Sequence, residues 1–223
     1  MTDVFAQKGK FTLDGPAGRL EVAASAGDAN GPYRGRNLCA VVAHPHPLHG
    51  GTMDNKVVTT LQRCYRDLGV DSLRFNFRGV GASEGEHDHA VGEVDDMLAV
   101  LRAAEAARPG AEFLVAGFSF GSSVAARASY HVNAAHLCLV APPIPRYDFD
   151  REGQFNAPLT VLQGERDERV EAQAVKTWSE SLRGVVRYHA FADTGHFFHG
   201  QLVALKETLS ADLQRLLPPE GGA

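Results

Sequence analysis

Apolar residues along this chain follow two patterns that take turns. Five short runs are apolar at nearly every position: LCAVVAH at 38–44, SLRFNF at 72–77, FLVAG at 113–117, LCLVAPP at 137–143 and LTVLQG at 159–164. Runs of this length without in/out alternation predict strands covered on both faces, as in a mostly parallel sheet. RYHAFA at 187–192 is a weaker candidate for one more strand. Between the runs the apolar positions space out to i, i+3/4, i+7. Val57, Val58, Leu61, Cys64, Tyr65 and Leu68 do so behind Asn55, a helix-capping residue, and before Gly69, a stop. Val94, Met97, Leu98 and Leu101 repeat the pattern, as do Val175, Trp178 and Leu182, then Leu202, Leu205, Leu209, Leu213 and Leu216. Strand and helix therefore alternate. That order predicts an α/β fold, a doubly wound and mostly parallel sheet with right-handed crossovers and helices on both faces. Ahead of it, Lys10–Leu13 and Arg19–Ala23 flank the turn sequence DGPAG and predict an antiparallel N-terminal hairpin, followed by a linker, GDANGPYRGRN.

Composition adds bounds. With 223 residues, 44% of them hydrophobic, the chain can bury a core as a single domain, its tail from 218 onward frayed. Lys and Arg number 22 against 27 Asp and Glu, a net charge of −5, and no basic stripe suggests nucleic acid as a partner. The N-terminus lacks the apolar segment and cleavage site of a secretory signal, and no run reaches membrane-spanning length; the expectation is a cytoplasmic protein without a membrane partner. Cys39, Cys64 and Cys138 lie in apolar segments without C-x-x-C pairing and read as small core residues.

The chemistry concentrates after FLVAG, where Gly117-Phe118-Ser119-Phe120-Gly121 is followed by small residues. This is G-x-S-x-G between a buried strand and a helix, the context that leaves the serine projecting from a tight turn at a helix N-terminus. A serine hydroxyl is a weak nucleophile and needs a base, itself oriented by a third group. Asp167 follows the strand LTVLQG, where ligand-facing residues of parallel sheets gather. His196 lies in FADTGHFFHG, between the last strand and the last helix. Asp193, three residues before His196, is an alternative acid, although ADTG also reads as an ordinary turn.

A rival centre is HPHPLHGG at 44–51, with His44, His46 and His49 within six residues. Three imidazoles could bind zinc in the manner of an H-x-H-x-D-H signature. Leu48, however, stands where that signature has its aspartate, and Pro45 and Pro47 restrict the backbone that would wrap an ion. No metal is expected here, and the three rings read as structural.

The motifs HPHPLHGGTMDNKVV, RFNFRGVGASEG, GFSFGS, GERDERV and ADTGHFF, in this order, resemble the α/β-hydrolase superfamily from about residue 10 to about residue 217. Within it the chain is similar to small, lidless bacterial serine hydrolases of the carboxylesterase-like kind. The resemblance implies Ser119 as nucleophile, Asp167 as acid and His196 as base, with an oxyanion hole formed by the backbone amide of Phe120 and a second from the 44–51 loop. The prolines have no N–H to give, and by its offset from the strand end His46 is the expected donor, with Leu48 as the alternative. Leu48, Phe118, Ile144, Phe197 and Phe198 are expected to wall the substrate pocket. The gap from Ile144 to Pro158, where a cap inserts in larger members, is 15 residues, too short for a lid. Arg78 could meet a substrate carboxylate but reads better as a partner of Asp95 or Asp96. His199 could shape the pocket, and His87 and His89 read as a solvated loop. The function implied is cleavage of small carboxylic esters through an acyl-enzyme, with a small-molecule ester as partner and no cofactor. Alternatives are an aminopeptidase or amidase, a thioesterase, or a non-catalytic binding module of the same fold.

Overall fold

The computed structural model describes residues 3–219. Eight strands form one sheet, β1 (Lys10–Gly15), β2 (Gly18–Ser25), β3 (Leu38–Ala43), β4 (Asp71–Phe75), β5 (Glu112–Phe118), β6 (Ala134–Val140), β7 (Leu159–Gly164) and β8 (Val186–Phe191). Their order across the sheet is β1-β2-β4-β3-β5-β6-β7-β8. The β1–β2 hairpin and the β2–β4 pair are antiparallel, and every pair from β4 to β8 is parallel. The helices are α1 (Lys56–Asp67), α2 (Gly92–Ala107), α3 (Phe120–Ser129), α4 (Ala172–Ser181) and α5 (Leu202–Leu216).

The unbroken apolar runs have a simple cause. In β3, Cys39, Val41 and Ala43 pack into a core shared with α2, α3 and α4, while Leu38, Ala40 and Val42 pack into a second core with α1 and α5. Alternate side chains of a strand point to opposite faces, and here both faces are covered. The three cysteines are free and buried. Asn55 caps α1 by accepting a bond from the Val57 amide at 2.9 Å, and Gly69 ends it at φ 88°.

Two departures from the sequence reading are local, and the weaker strand candidate forms as β8. The run 72–77 leaves the sheet after Phe75: Asn76 takes the Met53 amide, and the Phe77 amide donates to Nε2 of His44 at 3.0 Å, tying this loop to the one after β3. The linker before β3 is not free, because Tyr33 is buried and its amide donates to the Leu68 carbonyl at the end of α1. β8 reads weakly because its polar residues have a buried partner on α5. Asp212 accepts from Arg187 (2.5 Å), His189 (2.7 Å) and Thr160 of β7 (3.0 Å). Among the described residues no helix is long and apolar enough to cross a membrane. The frayed tail expected from 218 falls mostly outside the described residues.

Candidate active site

Ser119 sits between β5 and α3 with φ 53° and ψ −121°, a conformation that costs energy for any residue with a side chain and is held only where its surroundings impose it. The surroundings here are two glycines. A Cβ on Gly121 would lie 2.4 Å from the His44 carbonyl oxygen, and one on Gly117 would lie 2.1 Å from that of Gly121. Only glycine lets α3 start this close to β3 and β5. The Ser119 amide is spent on the Val140 carbonyl at 2.8 Å, so the hydroxyl is the group left facing the pocket.

The loops after β7 and β8 bring the other two polar groups to it. His196 Nε2 lies 3.0 Å from Ser119 Oγ, and its Nδ1 lies 2.8 Å from Asp167 Oδ2. The remaining lone pairs of Asp167 are filled by the amides of Arg169 and Val170, each at 2.8 Å on Oδ1, and by Gln163 Nε2 at 3.2 Å. Burial alone would raise the Asp167 pKa; the His196 bond, the nearby imidazole and the two amides outweigh it and hold the group below the ordinary carboxylate value. The two loops are also joined directly, the Arg166 amide donating to the Thr194 carbonyl at 3.0 Å, in a space that a Cβ on Gly164 would close at 2.3 Å. Asp193, the alternative acid, is not brought to His196. Its side chain is 70% exposed and pairs with Arg166.

The loop after β3 turns the three histidines to different tasks. His44 is buried, with Nδ1 on the Pro45 carbonyl at 2.6 Å and Nε2 accepting from Phe77, and burial lowers its pKa to about 3. His46 stacks on His49 at 4.3 Å and accepts the Leu48 amide on Nδ1 at 3.2 Å. Burial and then the neighbouring rings of His49 and His87 lower its pKa to about 4, so it is neutral at neutral pH. Among the described residues, no three His, Cys, Asp or Glu side chains are placed to hold a metal ion.

The backbone amides of Phe120 and His46 have no protein acceptor among the described residues, and both residues line the pocket beside Ser119. The alternative donor, Leu48, has its amide occupied by the His46 ring, and its side chain is exposed to solvent.

The pocket encloses about 260 Å³ and differs from the expected one. Of the five anticipated wall residues only Phe197 lines it. Phe118 is fully buried behind His196, at 5.0 Å between ring centroids, because it precedes Ser119 on β5 and points to the opposite sheet face. Phe198, at φ 53°, turns into the α5-side core against Phe191. Ile144 packs on the other core, and Leu48 stands outside in water. Their places are taken by Asn55, Arg146, Tyr147, Glu168, Arg169 and Val170. His199 stacks on Phe197 at 6.0 Å without lining the pocket.

Two loop readings also resolve. Arg78 is buried and binds Asp96 through Nε (3.0 and 3.1 Å) and Nη2 (2.8 Å), away from the pocket. His89 is exposed as expected, but the His87 side chain is only 9% exposed and is a correction to the solvated-loop reading. It rests between the rings of His46 (5.0 Å) and Phe120 (5.6 Å), with Nδ1 2.8 Å from Glu93. Glu93 is fully buried and accepts the Asp88 and Ala90 amides at 2.9 and 2.8 Å, which holds the left-handed backbone of His89 and Ala90 in place. A Glu four residues beyond the second of two loop histidines was the signal available in the sequence, and it is a weak one.

A mostly parallel sheet that carries a strained serine on a strand-to-helix turn, met by a histidine and an aspartate from later loops, is the arrangement of α/β hydrolases. The chain belongs to the alpha/beta hydrolase domain family, whose model matches residues 38–216. It is similar to a lidless α/β serine hydrolase from Xanthomonas campestris, with 40% identity, a TM-score of 0.88 and 96% of each chain covered. A serine hydrolase homologue from Coxiella burnetii matches with 40% identity and a TM-score of 0.88, over 94% of this chain and 99% of that one. A Rickettsia prowazekii protein is 37% identical over 197 residues, covering 83% of this chain and 80% of the relative. The protein is thus a hydrolase of the α/β serine hydrolase type.

Proposed function

We propose that this protein hydrolyses small carboxylic esters through an acyl-enzyme on Ser119. The observation that carries the reading is the relay Ser119–His196–Asp167, with contacts of 3.0 and 2.8 Å, opening on a pocket lined by two residues, Phe120 and His46, whose amides are unengaged among the described residues. His196 takes the Ser119 proton as Oγ attacks the ester carbonyl, then gives it to the leaving alkoxide. Asp167 fixes the tautomer that presents Nε2 to the serine and stabilises the imidazolium. The amides of Phe120 and His46 receive the oxyanion, and each such donor is worth about 3–4 kcal/mol in comparable sites. Water repeats the sequence to release the acid. A short acyl chain, rather than a long one, suits a pocket of about 260 Å³ with no lid above it.

The test is a series of 4-nitrophenyl esters. A buried methylene contributes about 0.8 kcal/mol, and the gain stops where burial stops. kcat/KM is expected to peak between acetate and butyrate and to decline by octanoate, without activation at a lipid interface. A rise continuing to decanoate would require a deep acyl tunnel and would sink the small-ester reading.

The His87 contacts support a second expectation. If His87, seated on Glu93, braces the rings of both residues that supply the oxyanion amides, His87→Leu lowers kcat by about 10-fold, less than removing a donor outright. KM stays nearly constant, because the loss falls on the transition state, and His87→Phe restores most of the rate. Full activity in His87→Leu would show that the ring has no bearing on the amides.

A further inference from the structure

Two arginines reach the pocket beside Ser119, one from the loop after β6 and one from the loop after β7. Arg146 lies in the turn Ile144–Arg146 that follows β6, and its Nη2 donates to the Arg169 carbonyl at 3.4 Å, so its side chain crosses towards the loop that carries Asp167. The Arg169 guanidinium is held over the Phe197 ring, 5.2 Å from its centroid, next to His196. Both line the same pocket as Ser119 and His196.

Neither guanidinium is satisfied by a carboxylate. Among the described residues Arg146 has none within 4.0 Å, and Arg169 has only Glu168 at 3.9 Å, beyond hydrogen-bond reach. Glu168 is itself turned to the His196 amide, which it accepts at 3.2 Å. Asp167 lies behind His196 with its oxygens fully used and does not line the pocket. This happens in a chain with 27 acidic and 22 basic residues, where Arg19, Arg66, Arg74, Arg78, Arg108, Arg166 and Arg187 all find carboxylates. Arg63, Arg102 and Arg183 also have no carboxylate within 4.0 Å among the described residues, but Arg146 and Arg169 are the two that line the pocket beside Ser119. The rest of the lining that could bind a polar group, Asn55, His49 and Tyr147, carries no negative charge at neutral pH. Guanidinium groups present planar, paired donors that match a carboxylate, and with the single lining carboxylate, Glu168, turned to the His196 amide, the two arginines leave the lining net positive, which draws such a ligand in from solution.

We propose that the substrate is an ester bearing a second, anionic group, a carboxylate, which Arg146 and Arg169 hold while Ser119 attacks the ester carbonyl. The inference rests on the ester-hydrolase reading and narrows it. The anion takes no part in bond making: the Ser119 Oγ–carbon bond forms, the carbon–alkoxide bond breaks, and the proton passes through His196 as before. The carboxylate can sit on the acyl or on the alcohol side, and the two are separable.

The test compares two matched pairs by steady-state kinetics in low and high salt. Mono(4-nitrophenyl) adipate against 4-nitrophenyl hexanoate places the charge on the acyl side; 4-acetoxybenzoate against its methyl ester places it on the alcohol side. In at least one pair the anionic member is expected to be preferred by about 10-fold in kcat/KM at low salt, with the preference shrinking as salt screens the charges. Arg146→Gln and Arg169→Gln should each cut that ratio by about 3-fold or more, chiefly through KM, as for lost ground-state binding. Equal or better turnover of the neutral member in both pairs overturns the inference while leaving the ester reading standing. Absence of turnover on all four esters overturns the ester reading itself, and the inference with it.

Discussion

Ser119→Ala is expected to lower kcat on 4-nitrophenyl acetate by about 10⁵–10⁶-fold, the scale seen when a serine nucleophile is removed from an otherwise intact site. The protein should remain folded, because the geometry that places Ser119 is set by the close approach of Gly117 and Gly121 to neighbouring backbone, and the hydroxyl bonds only His196. Its unfolding midpoint should therefore stay within about 2 °C of the parent. Thermal unfolding and steady-state kinetics on the same preparation check both halves. Turnover close to the parent rate would remove the serine mechanism, whatever the fold.

Asp167→Asn should be the next most damaging change, by about 10⁴-fold in kcat. An asparagine amide at this position would donate to His196 Nδ1 where the carboxylate now accepts, forcing the proton onto Nε2 and leaving Ser119 without a base. Protonation of Asp167 itself is not expected to contribute to any loss of activity in mild acid, since Asp167 is held ionised below the usual carboxylate range. Asp193→Asn, which breaks only the exposed contact to Arg166, should stay within about 2-fold. The reverse ranking would transfer the acid role to Asp193.

The backbone of this molecule was legible in the sequence because its signals are local. Strands buried on both faces must be largely apolar: β3 is so throughout, and β5 and β7 depart from it only at Glu112, Thr160 and Gln163. G-x-S-x-G has a steric reason for each glycine, and Asp167 and His196 follow strands whose C-terminal ends all lie on one edge of the sheet. The pocket was much less legible, since adjacency to a site residue does not say which way a side chain points. Phe118 touches Ser119 in sequence, yet strand alternation sends it to the far core. Phe198 follows Phe197, yet a left-handed backbone turns it inward. Strand alternation could have flagged Phe118 in advance; nothing in the sequence flags φ 53° at Phe198. Arg146 and Arg169 were missed for the opposite reason. Each follows a strand of the parallel sheet, as Asp167 does, but a loop arginine carries no motif, and only its place in the pocket beside Ser119 sets it apart. His87 was missed likewise, because its contacts to His46, Glu93 and Phe120 join two loops to the first turns of α2 and α3.

The central claim is that Ser119 is a nucleophile activated by His196, and fluorophosphonate labelling tests it most directly. The parent protein should take up one equivalent of probe by intact mass, with the adduct mapped to the peptide carrying Ser119, and Ser119→Ala should take up none. Failure of the parent to label, or an adduct that persists in Ser119→Ala on another residue, would contradict it.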